Sequence, residues 1–240
     1  LLTSVDSLFT TQAERDDELK PKVEEIGLDL IDGFEGHPFS VKDDEDMQNL
    51  VKSISENGVL VPCLARQNGE RYELISGHRR KAACELLGIA TLPIIIKDMT
   101  REEAIITMVD SNIQREHILP SEKAFAYKMK MDVLRHQGSS CQDGTKRSDE
   151  ALAESTDDSA RQIQRYIRLT YLIPELLKMV DEGIVSLTAG VNYSYLRQFE
   201  QLTVWMMLMD KSMSITTDKT EGMKNASKVG ELNEEQIRGY

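Results

Sequence analysis

The chain has 240 residues and a net charge of −12, with 40% hydrophobic and 29% charged residues, which fits a globular protein of one large or two small domains. Its sequence contains no apolar run as long as a membrane span and no signal-peptide pattern, so we expect a cytoplasmic protein without a membrane partner. The three cysteines, Cys63, Cys84 and Cys141, are too far apart for a CxxC metal motif or a disulfide framework, and the first two are predicted core residues.

The acidic charge is concentrated at the start of the chain. Residues 1–60 carry 15 acidic and five basic residues, whereas residues 121–180 carry nine and ten. The overall field opposes nucleic acid, but the later segments can present local basic faces. Residues 1–24 are predicted to be an acidic, disordered lead.

The first half reads as a small α+β domain over residues 25–118. Acids at 43–46 favour a helix start, Gly58 is placed to end that helix, Asn68-Gly69 indicates a hairpin, and Thr100 with Glu103 forms a capping box. Pro93 suggests an edge or entry position for its strand. The predicted strands are Ile26–Ile31, Val59–Arg66, Arg71–Ile75 and Leu92–Ile96.

From Pro120 onward the pattern is helical. A domain is predicted over residues 119–200, followed by a helical or irregular tail over 201–240. A loop is predicted over Gln137–Arg147. Within the domain, the short helix, tight turn and longer helix of residues 148–172 have the proportions of a helix-turn-helix.

The stretch that follows the third predicted strand suggests an anion site. Gly77 lies between a strand end and a helix start, where unpaired amides and the helix dipole favour a phosphate. His78, Arg79 and Arg80 follow, and arginine can contact phosphate oxygens in a forked geometry. The alternative is an ordinary turn with solvated basic residues. A second polar group, Asn112, Gln114 and Arg115, lies at a later helix end and is a weaker candidate for the same pocket.

The second helix of the helix-turn-helix has two distinct faces. Arg161, Gln164, Arg165 and Arg168 fall within an arc of about 100°, with Gln162 beside them. Ala160, Ile163, Ile167 and Tyr171 occupy another face and are predicted to pack inward. Such a division suits a DNA-recognition helix, although a solvated basic surface helix has the same pattern.

Together these motifs resemble the ParB family of partition proteins over about residues 26–196. The pieces that carry the resemblance occur in family order. They are Ser53-Ile54-x-x-Asn57-Gly58-Val59-Leu60-x-Pro62, Gly77-His78-Arg79-Arg80-x-Ala82, Asn112-Ile113-Gln114-Arg115-Glu116 and Leu119-Pro120-Ser121-Glu122-Lys123-Ala124.

The resemblance implies an α+β ParB/sulfiredoxin-like N-terminal domain followed by an all-α helix-turn-helix domain. It implies CTP held by Gly77, His78, Arg79, Arg80, Asn112, Gln114 and Arg115. It also implies double-stranded DNA, a homodimeric clamp that slides on DNA, a possible partition ATPase partner and a nucleoid-associated location in a bacterium. The element partitioned would be a chromosome, a plasmid or another mobile element, and catalysis would be at most a weak CTPase activity.

Two departures from the family pattern bear on these expectations. Ser111 stands where the family has an acidic metal ligand, so Mg²⁺, which prefers carboxylates, is a doubtful cofactor. His37-Pro38-Phe39, here interpreted as a structural turn, replaces a longer proline-containing motif. Gly77 also occupies the position of the sulfiredoxin cysteine, so that chemistry has no nucleophile. Two alternatives stay open: a nucleotide-independent helix-turn-helix regulator, and a nucleotide-dependent kinase, hydrolase or nuclease on the same fold.

Overall fold

A five-stranded mixed sheet forms the centre of the N-terminal part of the chain. We describe it from a computed structural model that covers residues 22–115, 117–138, 148–210 and 215–240. The strands are β1 (Val23–Gly27), β2 (Ile31–Asp32), β3 (Cys63–Asn68), β4 (Arg71–Ser76) and β5 (Thr91–Ile96). Residues Leu28–Leu30 form a 3-10 turn between β1 and β2, where one continuous strand was predicted.

The sheet order is β1-β5-β3-β4-β2, which places β5 inside the sheet. Of the two predicted positions for Pro93, the edge is therefore wrong, and the position near the strand entry is the one observed. Pro93 pairs with Glu25 of antiparallel β1, but the parallel ladder to β3 begins only at Ile94. Because Pro93 precedes that ladder, an interior strand tolerates its missing amide proton. The predicted disordered lead overlaps this ladder at Val23 and Glu24.

Two helices flank this sheet and pack against each other: α1 (Glu45–Asn57) and α2 (His78–Leu87). The Asp44 carboxylate accepts the Met47 amide at 2.9 Å and caps α1, as the acidic run predicts. A single core contains Met47 and Ile54 from α1 together with buried residues of the strands and α2. Cys63 and Cys84 are fully buried in it, which confirms them as core residues.

Beyond β5 the described residues form only helices, turns and irregular segments. The helices are α3 (Arg101–Ile113), α4 (Pro120–Gly138), α5 (Ser148–Glu154), α6 (Ala160–Leu169), α7 (Pro174–Asp181), α8 (Leu187–Tyr193), α9 (Gln198–Met209), α10 (Thr217–Lys228) and α11 (Glu234–Gly239). The predicted α+β class, a small sheet domain followed by helices, is confirmed. The loop predicted for 137–147 falls largely outside the described residues, as does nearly all of the acidic lead.

The described residues divide into two compact units, residues 22–37 with 41–104 and residues 38–40 with those described from 105 to 240. In the second unit, α9 to α11 contribute Val204, Met223 and Ile237 to a buried core shared with α7 and α8. The described part of the 201–240 tail is therefore mostly helical and belongs to this core. Among the described residues, no helix has the length and apolarity needed to cross a membrane.

Glu200 joins α9 to α10 through a buried carboxylate. Its Oε1 accepts from the Arg197 guanidinium, and its Oε2 accepts the Arg197 amide and the Ser227 hydroxyl, both at 2.7 Å. Burial raises the pKa of Glu200, but these hydrogen bonds outweigh burial and hold the pKa below its usual 4.5. The carboxylate therefore contributes stability only while it is ionised.

Replacing Glu200 with glutamine is expected to lower the free energy of unfolding by about 1–3 kcal/mol near neutral pH. The folded pKa lies below the unfolded one, so the stabilisation is present above about pH 4.5 and disappears as pH falls through the folded pKa. Urea unfolding of parent and variant between about pH 7 and about pH 3 checks this. A difference that stays constant over that range would contradict the assignment.

Candidate nucleotide and nucleic-acid sites

The turn at Gly77 has a conformation that favours glycine. Gly77 follows β4 and precedes α2 with φ 109° and ψ 19°, and a Cβ there would lie 2.3 Å from the Cys63 sulfur. No side chain caps the N-terminus of α2. The first turn of a helix without such a cap has amides suited to an anion, so the local geometry agrees with the predicted phosphate site.

Cys63 lies directly against this turn but is not poised as a nucleophile. Its sulfur is 3.8 Å from the Gly77 carbonyl oxygen. Burial raises the pKa of the Cys63 thiol to about 11, although the nearby Arg80 charge opposes the shift. A neutral buried thiol is chemically inert, so Cys63 fills space beside the turn.

The two arginines of the turn have different partners. Arg79 donates from Nη2 to the Asp44 carboxylate at 2.7 Å, and its side chain keeps 30% exposure. Arg80 donates to the Val61 and Pro62 carbonyl oxygens and thereby fixes the segment that leads into β3. Arg79 thus leaves part of its guanidinium available to a ligand, while Arg80 also has a structural task.

His37 is a neighbour of the Gly77 turn. The sequence predicts it only as part of a structural turn at residues 37–39. The observed turn lies just before the predicted one at 37–39: the His37 amide closes a turn over residues 34–37 by donating to the Phe34 carbonyl oxygen at 3.1 Å. Its imidazole also contacts that of His78, with ring centroids 3.8 Å apart and ring planes tilted by 40°. The departure from the family motif at residues 37–39 was the signal that could have drawn attention to this contact.

Asn112, Gln114 and Arg115 belong to the second compact unit, so their joining with Gly77–Arg80 in one pocket stays a prediction. Asn112 is buried, and its Nδ2 donates to the Met108 carbonyl oxygen at 2.8 Å. Its Oδ1 is buried without a hydrogen-bond partner among the described residues. Gln114 and Arg115 are exposed, and the Arg115 guanidinium lies 5.9 Å from the Phe39 ring centre.

The residues next to Asn112 do not form a carboxylate site for Mg²⁺. Asp110 is bound by the ammonium of the buried Lys130. The Ser111 hydroxyl donates back to the Met108 carbonyl oxygen at 3.0 Å. In the parts of the chain that the structure covers, no three histidines, cysteines or acids group as metal ligands. Of the described residues beside Asn112, the one carboxylate, Asp110, is thus already paired with a cation, which disfavours a Mg²⁺ ion there.

The predicted helix-turn-helix is formed by α5, the turn at 155–158 and α6. Ser159 caps α6 by accepting the Gln162 amide at 3.3 Å. The turn is attached to α4, since Asp158 accepts from Lys123 at 3.0 Å and from Tyr127 at 2.5 Å. Lys130 adds a third bond, to the Ser155 hydroxyl at 3.0 Å. These bonds fix the position of α6 in its unit.

The first half of α6 presents the predicted polar face. Arg161 and Gln164 are exposed, while Ile163 is fully buried against Tyr127, Met131 and Leu152. The Gln164 amide has one long contact, 3.4 Å from Asp149. Arg161 and Gln164 are therefore positioned on the surface of α6 where base edges could be read.

The second half of this face is engaged with the protein. Arg165 donates to the Thr188 hydroxyl at 2.7 Å and to the Gln162 side chain at 3.0 Å. Arg168 donates to the Ser194 carbonyl oxygen at 2.9 Å and lies over the rings of Tyr171 and Tyr195. The inward prediction for Tyr171 was wrong: it is 57% exposed, because α6 ends at Leu169 and the chain turns there.

Comparison with known proteins shows similarity to ParB proteins. Residues 12–113 match the ParB N-terminal domain model. A probable chromosome 1-partitioning protein ParB of Deinococcus radiodurans is 29% identical over 203 residues, which cover 85% of this chain and 66% of that protein. The chain is ParB-like. A probable chromosome-partitioning protein ParB of Neisseria meningitidis serogroup B is 38% identical over 141 residues, 58% of the ParB-like chain and 45% of its relative.

A solved structure also supports the fold of the ParB-like chain. The C-terminally truncated chromosome-partitioning protein ParB of Caulobacter crescentus, complexed to the centromeric parS site, superposes with a TM-score of 0.50. It is 19% identical and is covered over 98% of its length, against 84% of this chain. The ParB-like chain spans two thirds or less of the two curated relatives. The family prediction is confirmed, while the assignments of individual site residues stay predictions.

Proposed function

We propose that this ParB-like chain is a sequence-specific DNA-binding protein of the partition type, which reads double-stranded DNA with α6. The observation that carries the proposal is the capped helix α6, attached through its preceding turn to α4, with Arg161 and Gln164 exposed on one face. Arginine recognises guanine and glutamine recognises adenine through paired hydrogen bonds in the major groove. The partitioning role of the curated relatives supports the same class of function.

Selection of binding sites from a random duplex library tests this function. The expected result is enrichment of one sequence motif by the parent protein. Recovery of unenriched sequences, with an affinity that depends on salt alone, would contradict sequence-specific reading. The selected duplex then serves as the probe for the substitutions below.

We further propose that the turn at Gly77 binds CTP and makes DNA binding responsive to the nucleotide. Gly77 and the amides of His78, Arg79 and Arg80 suit the triphosphate, with the Arg79 guanidinium beside them. Asn112, Gln114 and Arg115 stay predicted nucleotide ligands on the strength of the family resemblance. The orphan Asn112 Oδ1 would accept a hydrogen bond from the ligand. Part of the binding energy of CTP would stabilise a dimeric clamp on DNA.

Arg79→Ala is expected to weaken CTP binding roughly 10- to 100-fold, because a charge-assisted hydrogen bond contributes about 1.5–3 kcal/mol. Calorimetric titration of CTP, with ATP, GTP and UTP as comparison ligands, measures the change. Lys81→Ala is the matched control, since Lys81 lies on the same helix but pairs with Glu85 at 2.6 Å. Equal CTP affinity in parent and Arg79→Ala would remove the proposed site.

A second function is a nucleotide-independent regulator on the same scaffold. The pairing of Asp110 with Lys130 favours it, because this carboxylate, the one beside Asn112 among the described residues, is already engaged and less able to bind a metal that would accompany a triphosphate. Titrations with Mg²⁺ and with EDTA separate the two functions. A partition ATPase partner, a homodimer and a nucleoid location belong to the proposal of a CTP-responsive partition protein. CTP binding by the parent protein would favour the CTP-responsive partition protein over the nucleotide-independent regulator.

A further inference from the structure

One aromatic ring in the second unit is surrounded by three cations. The ring centre of Tyr195 lies 3.9 Å from the Arg168 guanidinium carbon, 4.8 Å from the Lys224 ammonium and 5.1 Å from the Lys228 ammonium. The two lysines come from the last turns of α10, and Arg168 comes from the last turn of α6. We call these four residues the Tyr195 cluster.

Three cations elsewhere in this unit are paired with carboxylates. Lys178 pairs with Glu182, Arg238 with Glu234 and Lys123 with Asp158. Within residues 22–115, 117–138, 148–210 and 215–240, no salt bridge joins a carboxylate to Arg168, Lys224 or Lys228. Lys224 has only a long contact to the Asn192 side-chain oxygen, at 3.4 Å.

Three like charges at one ring repel each other, and a chain with a net charge of −12 has ample acid that could have neutralised them. The ring offsets part of this cost, since each cation–π contact contributes about 0.5–1 kcal/mol at an exposed site. An anion placed between the ammonium groups would offset the rest. The cluster therefore has the charge and the partial exposure of a phosphate-binding site, with Tyr195 38% exposed and Lys228 exposed.

We propose that Lys224 and Lys228 of the Tyr195 cluster bind the DNA backbone beyond the helix-turn-helix. The inference rests on the proposed function and extends it, because neither lysine belongs to the predicted recognition face. Arg168 connects the Tyr195 cluster to the predicted recognition face, because it is the last cation of the α6 face and also touches the Tyr195 ring. A duplex held along α6 would bring phosphates to this end of the helix. The contact is to phosphate and therefore carries no sequence preference.

The double substitution Lys224→Gln with Lys228→Gln tests the contact. Two lost phosphate contacts reduce the slope of log affinity against log salt by about 2. Between about 50 mM and about 200 mM salt, the affinity of the variant should therefore fall roughly tenfold less than that of the parent. Fluorescence anisotropy with the selected duplex and with a scrambled duplex measures both slopes, and equal slope changes on both probes are expected.

The matched control removes two cations elsewhere in the same unit, by Lys178→Gln with Arg238→Gln, and should leave the slope unchanged. Lys224 touches Asn192, so its substitution could disturb the fold. The single variant Lys228→Gln changes only an exposed side chain and should lower the slope by about 1. A parental slope in the folded double variant overturns the inference. Failure of the parent to bind any duplex would instead overturn the proposed function, so the two failures are distinguishable.

Discussion

Replacing Arg161 and Gln164 together with alanine is expected to abolish most discrimination between the selected duplex and a scrambled one. Each paired contact to a base contributes about 1–3 kcal/mol, so the loss should exceed roughly 30-fold in affinity for the selected duplex. Both side chains are exposed on α6, and neither belongs to the buried core around Ile163. Anisotropy titrations on the two duplexes give the discrimination ratio.

The choice of these two positions follows from the contacts of α6. Arg168 bonds to Ser194 and lies over two tyrosine rings, so its removal would disturb packing as well as DNA binding. Thermal unfolding of the Arg161/Gln164 variant should match that of the parent. Lys178→Ala, an exposed cation on α7, controls for the loss of charge. Full discrimination by the double variant would show that α6 does not read the bases.

Gly77→Ala is expected to lower the free energy of unfolding by about 2–5 kcal/mol. A left-handed backbone costs a residue with a side chain about 1–2 kcal/mol, and forcing a methyl group into a packed site costs about 1–3 kcal/mol more. The added Cβ would lie 2.3 Å from the Cys63 sulfur and 2.9 Å from its Cβ. Urea unfolding should show a lower midpoint with an unchanged slope.

Gly88→Ala is the control that separates backbone strain from the clash. Gly88 ends α2 with φ 66°, and a Cβ there would meet no atom within 4 Å. Its alanine variant should lose only the backbone part, about 1–2 kcal/mol. If Gly77→Ala cost no more than Gly88→Ala, the close approach of Gly77 to Cys63 would not be a constraint on the fold.

Features governed by local chemistry could be predicted from the sequence. The acids before α1 place Asp44 at the cap, and the box of Thr100 and Glu103 is formed by reciprocal bonds of 2.8 and 3.2 Å. Gly58 and Gly77 fall where a helix ends or begins. These features depend on residues within one turn of each other, so spacing alone identifies them.

Features that depend on distant partners could not be predicted in this way. The place of β5 inside the sheet comes from pairing with β1 and β3, which no short window of sequence contains. Helical periodicity placed Arg168 on an exposed face, but Ser194 and Tyr195 come from the far end of α8. The contact of His37 with His78 likewise joins residues of separate segments.

In the proposed function, one chain couples a nucleotide site at Gly77 to a DNA site on α6. Retention of the protein on the selected duplex, with both ends blocked or with one end open, tests it most directly. Because a clamp that slides along DNA leaves it at an open end, CTP is expected to increase retention on the blocked duplex only, and Arg79→Ala is expected to abolish this increase. Retention that CTP leaves unchanged on both duplexes, in a parent that binds the selected site, would contradict the coupling.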